Sequence, residues 1–577
     1  MFAESARGLF EIPGGFLVSS DDARSSLGDL ELRQRWLRTR SRHILQIAAK
    51  SSARHVFQGP PIFPGIREGM RRACDHLSRE EQNRYAVWEF HAELGQIRRG
   101  IPTLGKDWEE GRAAQSADLP NQTGHNADTL LDEAGENGVS PGAAKAGLRA
   151  TALSDMRLPQ QVVANRVASY LGCPPNLEVG WTTSSPATGK TPNWNGKEVR
   201  SLLWSGHLNS LELSETAALL EGVERRVGAL ESEPRSVTAK GEELSGRVLT
   251  PEDFPPYPDS FYGVLGAPYD STQPHEWVRV TRLHDGSEAW LAREYVYYGQ
   301  QVEHQLWALG SSSGCATGST IAEAELFGLL ELIERDSFVG CWYAGINAAP
   351  VSIENIRSLD ALRARAALLG IELKCGLLPS IIGIPVVVAT AQVEDEVGVI
   401  LAFGAACQPD LESAVNGALN EVWTYINERA KSAREHRDKI ERLHADPTLC
   451  AGIEDHPLFA MYPSHSAYLE FVDTDQSFLA KIDPSWQAWS KRSASQLLEH
   501  VVGLLDAEGV DVWAHRQTSR FEQSLGLETV MMVAPNLLPL DFGWKQQRAL
   551  QSERLRKIIG KYHGPNAKPR RLPHPFS

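Results

Sequence analysis

Residues Ser311 to Phe338 read SSSGCATGSTIAEAELFGLLELIERDSF, a run of small residues passing directly into an apolar, acid-bearing stretch. The apolar positions Ala324, Leu326, Leu329, Leu330, Leu332 and Ile333 predict a largely buried helix over 320–338. At a helical step of about 100° per residue, Glu323, Phe327, Glu331 and Glu334 fall on one stripe, and Glu325 points away. Carboxylates on a buried stripe repel each other and lose hydration, so each needs a partner or a proton. A bound cation is the simplest remedy, and oxygen donors suit magnesium or calcium. Two other readings need no ligand. An ExxER pattern is common in surface salt bridges, and Thr320 with Glu323 fits a capping box. The small residues ahead of the helix let a backbone approach a phosphate beside free helix N–H groups. A P-loop is excluded, since no lysine follows Gly318.

The stretch has an echo. Leu219-Leu220-Glu221-Gly222-Val223-Glu224-Arg225 matches Leu329-Leu330-Glu331-Leu332-Ile333-Glu334-Arg335, with two carboxylates at i and i+3 followed by arginine in each copy. That spacing puts each pair on one helix face.

Around these segments the chain has 577 residues, 42% apolar and 23% charged, which is globular composition and excludes wholesale disorder. The net charge of −15 argues against general nucleic-acid binding. No apolar run is long enough to span a membrane, and the first twenty residues lack a signal-peptide pattern. The seven cysteines have no paired spacing, which points away from a zinc site and toward a reducing cytoplasm.

The expected organisation has three parts. Residues 1–101 read as a helical N-terminal region, with Leu30 to Ser51 and Gly65 to Arg99 as helices and Tyr85, Trp88 and Phe90 at roughly helical spacing. Residues 102–158 are rich in Gly, Ala, Asn, Asp and Glu and read as a flexible linker or insertion. Residues 159–577 read as one α+β domain. It has strands near 385–392, 397–403, 510–515 and 528–534, and helices over 214–230, 320–338 and 412–431. The end, Lys568-Pro569-Arg570-Arg571-Leu572-Pro573-His574-Pro575-Phe576-Ser577, reads as an extended tail.

SSGCATGSTIAEAELFGLLELIERDSF resembles the central signature of the YcaO family, and Gly206-His207 through LSETAALLEGVERR is similar to that family's first acidic helix. Leu291 to Tyr298 resembles the strand that follows, GAACQPDLESAVNGALNE the third helical segment, and Val533 to Pro539 the late strand and turn. The resemblance covers roughly residues 175–577. It implies a YcaO-like ATP-binding domain in which clustered glutamates bind ATP with Mg2+. It implies phosphorylation of a peptide amide oxygen, so that a Cys, Ser or Thr side chain closes an azoline ring in a ribosomally made peptide.

Carried over, the metal ligands are Glu221, Glu224, Glu323, Glu331 and Glu334, and the nucleotide contacts are Ser313, Ser319, Arg225 and Glu421. The catalytic set is Glu331, Arg335 and, through a tail packed near the site, Ser577. The expected partners are the precursor peptide and a separate E1-like or leader-binding protein, since no compact β-rich run shows at the N-terminus. A homodimer fits the same expectation; nucleic acid and membrane do not. Thioamide or amidine formation, or a catalytically weak scaffold, are the competing readings. The chain departs from the family pattern at Ala217, Phe327, Thr424, Tyr425, Ile426 and Met531 or Met532, and has two tail prolines in register rather than three. Cys315 reads as a nucleophile or a buried small residue, and His207 as a ligand contact or a structural histidine.

Overall fold

The computed structural model describes residues 9–12, 15–19, 86–91, 96–100, 148–167, 169–177, 186–194, 199–208, 210–229, 235–299, 306–472 and 484–576. Near the N-terminus, β1 (Leu9–Ile12), β2 (Gly15–Ser19), β3 (Val87–His91) and β4 (Gln96–Gly100) form an antiparallel sheet in that order. This corrects the helical reading of 65–99 where it meets described residues. Trp88 and Phe90 are two apart, the period of a strand, and they pair with Val18 and Phe16 across β2. Both faces of β3 are covered: Val87, Trp88 and Glu89 are all buried. A strand buried on both sides shows no apolar/polar alternation, which is why the aromatic spacing misled. The helix expected over 30–51 lies outside the described residues, as does most of the expected linker. Its end, however, is packed: Met156 is buried, Leu153 and Leu158 join the same apolar cluster, and Leu148 rests on the main core.

The remaining strands fall into three sheets. Strands β5 (Asn176–Leu177), β6 (Ala187–Trp194) and β7 (Val199–Gly206) make the first, with β7 at one edge. Strands β8 (Val237–Ala239), β9 (Arg247–Val248), β10 (His275–Arg282), β11 (Glu288–Ala292) and β12 (Cys315–Gly318) belong to a seven-stranded sheet. Strands β13 (Ala349–Val351), β14 (Glu372–Leu378), β15 (Val386–Glu394) and β16 (Val399–Cys407) run antiparallel in sequence order, with β16 at the edge. Strands β17 (Trp513–Arg516) and β18 (Glu528–Val533) then complete the seven-stranded sheet, in the order β12-β18-β17-β10-β11-β9 with β8 beside β10. The late strands and three helices agree with the sequence reading, and the mixed α+β class is the observed one.

Three long helices each follow an edge strand: α1 (Leu211–Ala229) follows β7, α2 (Ile321–Ala344) follows β12, and α3 (Leu411–Glu435) follows β16. Helix α2 starts at Thr320, whose hydroxyl accepts the Glu323 N–H, and stops at Gly345 in the left-handed region at φ 72°. Phe338, Trp342 and Tyr343 on α2 are fully buried in the main core. A Cβ on Gly328 would lie 2.4 Å from the Gly314 carbonyl oxygen, so glycine there lets the small-residue loop lie directly on α2.

The C-terminal stretch is extended, as its prolines suggest, but it runs through the core. Tyr468 Oη donates to the Pro573 carbonyl at 2.7 Å and Trp342 Nε1 to the Leu572 carbonyl at 2.9 Å. Pro573, His574, Pro575 and Phe576 are buried.

Candidate active site

Among the described residues, strands β7, β12 and β16 are each the last strand of their sheet, so each presents backbone N–H groups with no strand to receive them. Glutamates from the three helices accept these bonds. Glu221 on α1 accepts the Ser205 N–H at 2.7 Å, and Glu224 accepts from the Thr317 backbone. On α2, Glu331 accepts the Gly314 N–H at 3.1 Å and Glu334 the Cys407 N–H at 3.1 Å. On α3, Glu421 accepts the Ala405 N–H at 2.9 Å. Helix and sheet edge thus lock together through the carboxylates, which brings five of the predicted residues into one electrostatic cluster.

Two guanidinium groups serve the five carboxylates. Arg225 Nη2 contacts Glu221 Oε1 at 3.0 Å, and Arg335 Nη2 contacts Glu331 Oε1 at 3.2 Å, each at i,i+4. Fully ionised, the cluster would carry three uncompensated negative charges in a partly buried place. The carboxyls respond as expected. Burial pushes Glu224 well above the usual range, with Glu221 and Glu331 adding repulsion against the pull of Arg225. Burial pushes Glu334 up to about 8, and Glu421 up to about 7, in both cases against Arg335.

Arg335 is under-used. Its Nε and Nη1 are buried and have no hydrogen-bond partner, while its guanidinium stacks over Phe576 at 4.5 Å. A guanidinium with two unused N–H groups, beside carboxyls that outnumber their arginines, fits a magnesium-bound phosphate chain, which supplies both acceptors and cation. Among the described residues no group of three or more His, Cys, Asp or Glu side chains is arranged to hold a metal ion by itself. Magnesium is commonly held by one or two carboxylates, with phosphate and water supplying the other ligands.

The other expected residues fall in different places. Glu323 is fully buried but saturated: Oε1 accepts from Arg149 Nη1 at 3.0 Å, and Oε2 from Ser319 Oγ at 2.6 Å, Ser319 N at 3.3 Å and Ala150 N at 3.2 Å. Ser319 is therefore spent on Glu323, and Ser313 bonds within its own loop through its N–H to Ser311 Oγ at 3.3 Å. Ser577 lies outside the described residues, although Phe576 beside it reaches Arg335. Cys315 is a buried residue whose thiol burial raises well above its ordinary value, which argues against a nucleophile. His207 has a buried Nδ1 without a partner, and burial lowers its pKa against the pull of Glu221.

Sequence reasoning missed Arg149 and Tyr425. Tyr425, one turn past Glu421, is partly buried beside the cluster, and desolvation with Glu421 and Glu221 raises its phenol. Arg149 was hidden by averaging composition over 102–158; the spacing of Leu148, Leu153, Met156 and Leu158 was the available signal. Phe327, where the resemblance expects a polar residue, carries the Arg149 guanidinium at 4.8 Å from its ring centre.

Residues 205–538 match the family model described as "YcaO cyclodehydratase, ATP-ad Mg2+-binding". The match spans more than half of the chain, and the chain belongs to the YcaO family. ATP and Mg2+ are the cofactors named for that family. The fold is similar to that of a heterocyclase solved "in complex with substrate and Cofactor", at TM-score 0.68 and 16% identity, covering 98% of this chain and 77% of that one. It is also similar to the heterocyclase TruD, at TM-score 0.56 and 14% identity, covering 98% and 73%. A YcaO from Methanopyrus kandleri "bound with AMPPCP and Mg2+" aligns at TM-score 0.41 and 18% identity, covering 62% of this chain and 83% of that one. No curated protein matches the sequence with significant similarity. Among the described residues no helix is long and apolar enough to cross a membrane.

Proposed function

We propose that this chain is an ATP-dependent cyclodehydratase that phosphorylates a peptide amide oxygen, so that a neighbouring Cys, Ser or Thr side chain closes an azoline ring. The observation that carries the reading is the two buried Arg335 nitrogens without a hydrogen-bond partner, Nε and Nη1, beside carboxyls pushed toward neutrality, at the point where the tail enters the site. An amide oxygen is a poor leaving group, and magnesium-bound ATP supplies the phosphoryl group that makes it a good one. The residues of this chain then position and neutralise. Glu221, Glu224, Glu331, Glu334 and Glu421 would hold the metal-bound phosphates, with their tethered oxygens fixed by backbone N–H groups. Arg335 and Arg225 would neutralise phosphate oxygens, and Phe576 holds the Arg335 plane in orientation.

The substrate in this reading is a precursor peptide modified in the cytoplasm, where the free cysteines among the described residues stay reduced. An E1-like or leader-binding partner protein accompanies the chain in this reading, although the N-terminal part of the chain has β structure of its own in the sheet β1–β4. Incubation with ATP and a Cys- or Ser-containing peptide tests the assignment. Each ring removes one water, about 18 Da, whereas thioamide formation raises the mass by about 16 Da. ATP turnover without any change in peptide mass would leave a scaffold that binds nucleotide.

A further inference from the structure

Arg149 enters the cluster from a segment that precedes the family-matched residues 205–538. The strap 148–150 lies across the start of α2, with Leu148 packed on the main core. From it come two of the four donors to Glu323: the Arg149 guanidinium at 3.0 Å and the Ala150 N–H at 3.2 Å. The other two come from Ser319. Arg149 also stacks on Phe327, one turn further along the same stripe, and lies within electrostatic reach of Glu224.

We propose that the Arg149 guanidinium stands in for a cation at Glu323. In this chain Glu323 is then a positioning residue that seats Arg149 beside Glu224, and no metal ion is held at that end of the stripe. The inference rests on the nucleotide-and-magnesium reading above. Its argument is one of occupancy. Both Glu323 oxygens are already engaged, the carboxylate is 0% exposed, and the next residue on the stripe is an aromatic ring that offers magnesium neither oxygen nor water. Magnesium demands about six oxygen ligands near 2.1 Å and keeps several waters, which a guanidinium packed over phenylalanine displaces. The same charge delivered by an arginine needs no metal from solution. Removing it while leaving Glu323 in place strands a buried carboxylate, the situation that a divalent ion relieves.

The test counts Mn2+ bound per chain by electron paramagnetic resonance at a saturating non-hydrolysable ATP analogue. Wild type and Arg149→Lys should bind the same number. Arg149→Gln should bind one more, and the double variant R149Q/E323Q should return to the wild-type number. Glu323→Gln with Arg149 intact, checked for native folding by circular dichroism, should leave the wild-type number unchanged. An unchanged number in R149Q, or one ion fewer in E323Q, overturns the proposal while leaving the nucleotide reading standing. A wild-type chain that binds no Mn2+ with the analogue overturns both.

Discussion

Glu334 keeps its proton up to about pH 8 because burial opposes its ionisation more strongly than Arg335 favours it. The unfolded chain loses that proton near pH 4.5. Between those values the folded state therefore binds more protons than the unfolded state, and its stability falls as pH rises. Glu334→Gln removes this dependence at one site. Between pH 5 and pH 8 the metal-free variant should therefore lose less stability than wild type. Denaturant unfolding at the two pH values measures it, and parallel behaviour of the two proteins would contradict the burial argument. Glu331 sits between the α1 and α3 carboxylates and contacts Arg335. Glu331→Gln should cut nucleotide-dependent turnover by roughly 100-fold or more while keeping the Gly314 tether and the fold. Turnover within a few-fold of wild type would remove Glu331 from the site.

The i, i+3 acidic pairs and their two-copy echo were legible from sequence, and they located α1 and α2 correctly. What the sequence could not display was the reason for the spacing: the carboxylates reach N–H groups on sheet edges or, for Glu331, on the loop leading into one, and edges are defined only by strand order. Nor could it show that Glu323, on the same stripe, belongs to a different set of partners, because Arg149 is 174 positions away in sequence. Helix α2 also depends on an approach that no pattern reveals. At Gly328 alanine would ordinarily favour a helix by about 1 kcal/mol. Here its Cβ would lie 2.4 Å from the Gly314 carbonyl oxygen and 2.7 Å from Met532 Cγ. Gly328→Ala should therefore destabilise the protein by roughly 1–3 kcal/mol and loosen the bond from Gly314 N–H to Glu331. Thermal unfolding and ATP affinity together check this; a stabilised variant with unchanged affinity would mean that the loop yields freely.

Across the whole molecule, the tail joins core and site. Phe576, 1% exposed, packs on Phe338 at 4.5 Å and under Arg335 at 4.5 Å. His574 stacks on His456 with ring centres 3.9 Å apart. His456 Nε2 accepts the Gly543 N–H at 2.8 Å, so its Nδ1 carries the proton donated to the His574 carbonyl at 2.8 Å. The neutral form is thus required, and burial lowers His456 to about 4. Its contribution to stability is complete above about pH 6.5 and is lost as pH falls toward 4. Phe576→Ala should cost about 3–5 kcal/mol and weaken ATP binding, since it empties the core and releases Arg335 together. Loss of ring formation at unchanged stability would show the tail to be a surface element instead. The proline spacing predicted extension correctly, but burial of the tail depends on Tyr468 and Trp342, residues more than a hundred positions distant. The N-terminal sheet shows the converse failure, because a strand buried on both faces resembles any other apolar run.

The most direct measurement is calorimetric binding of a non-hydrolysable ATP analogue at pH 7, with and without Mg2+, in buffers of different ionisation enthalpy. Carboxyls that hold protons in the metal-free protein must give them up when the ion arrives. Binding should therefore require Mg2+ and release protons, with a smaller release from Glu334→Gln. Binding that ignores Mg2+, or that moves no protons, would contradict the account.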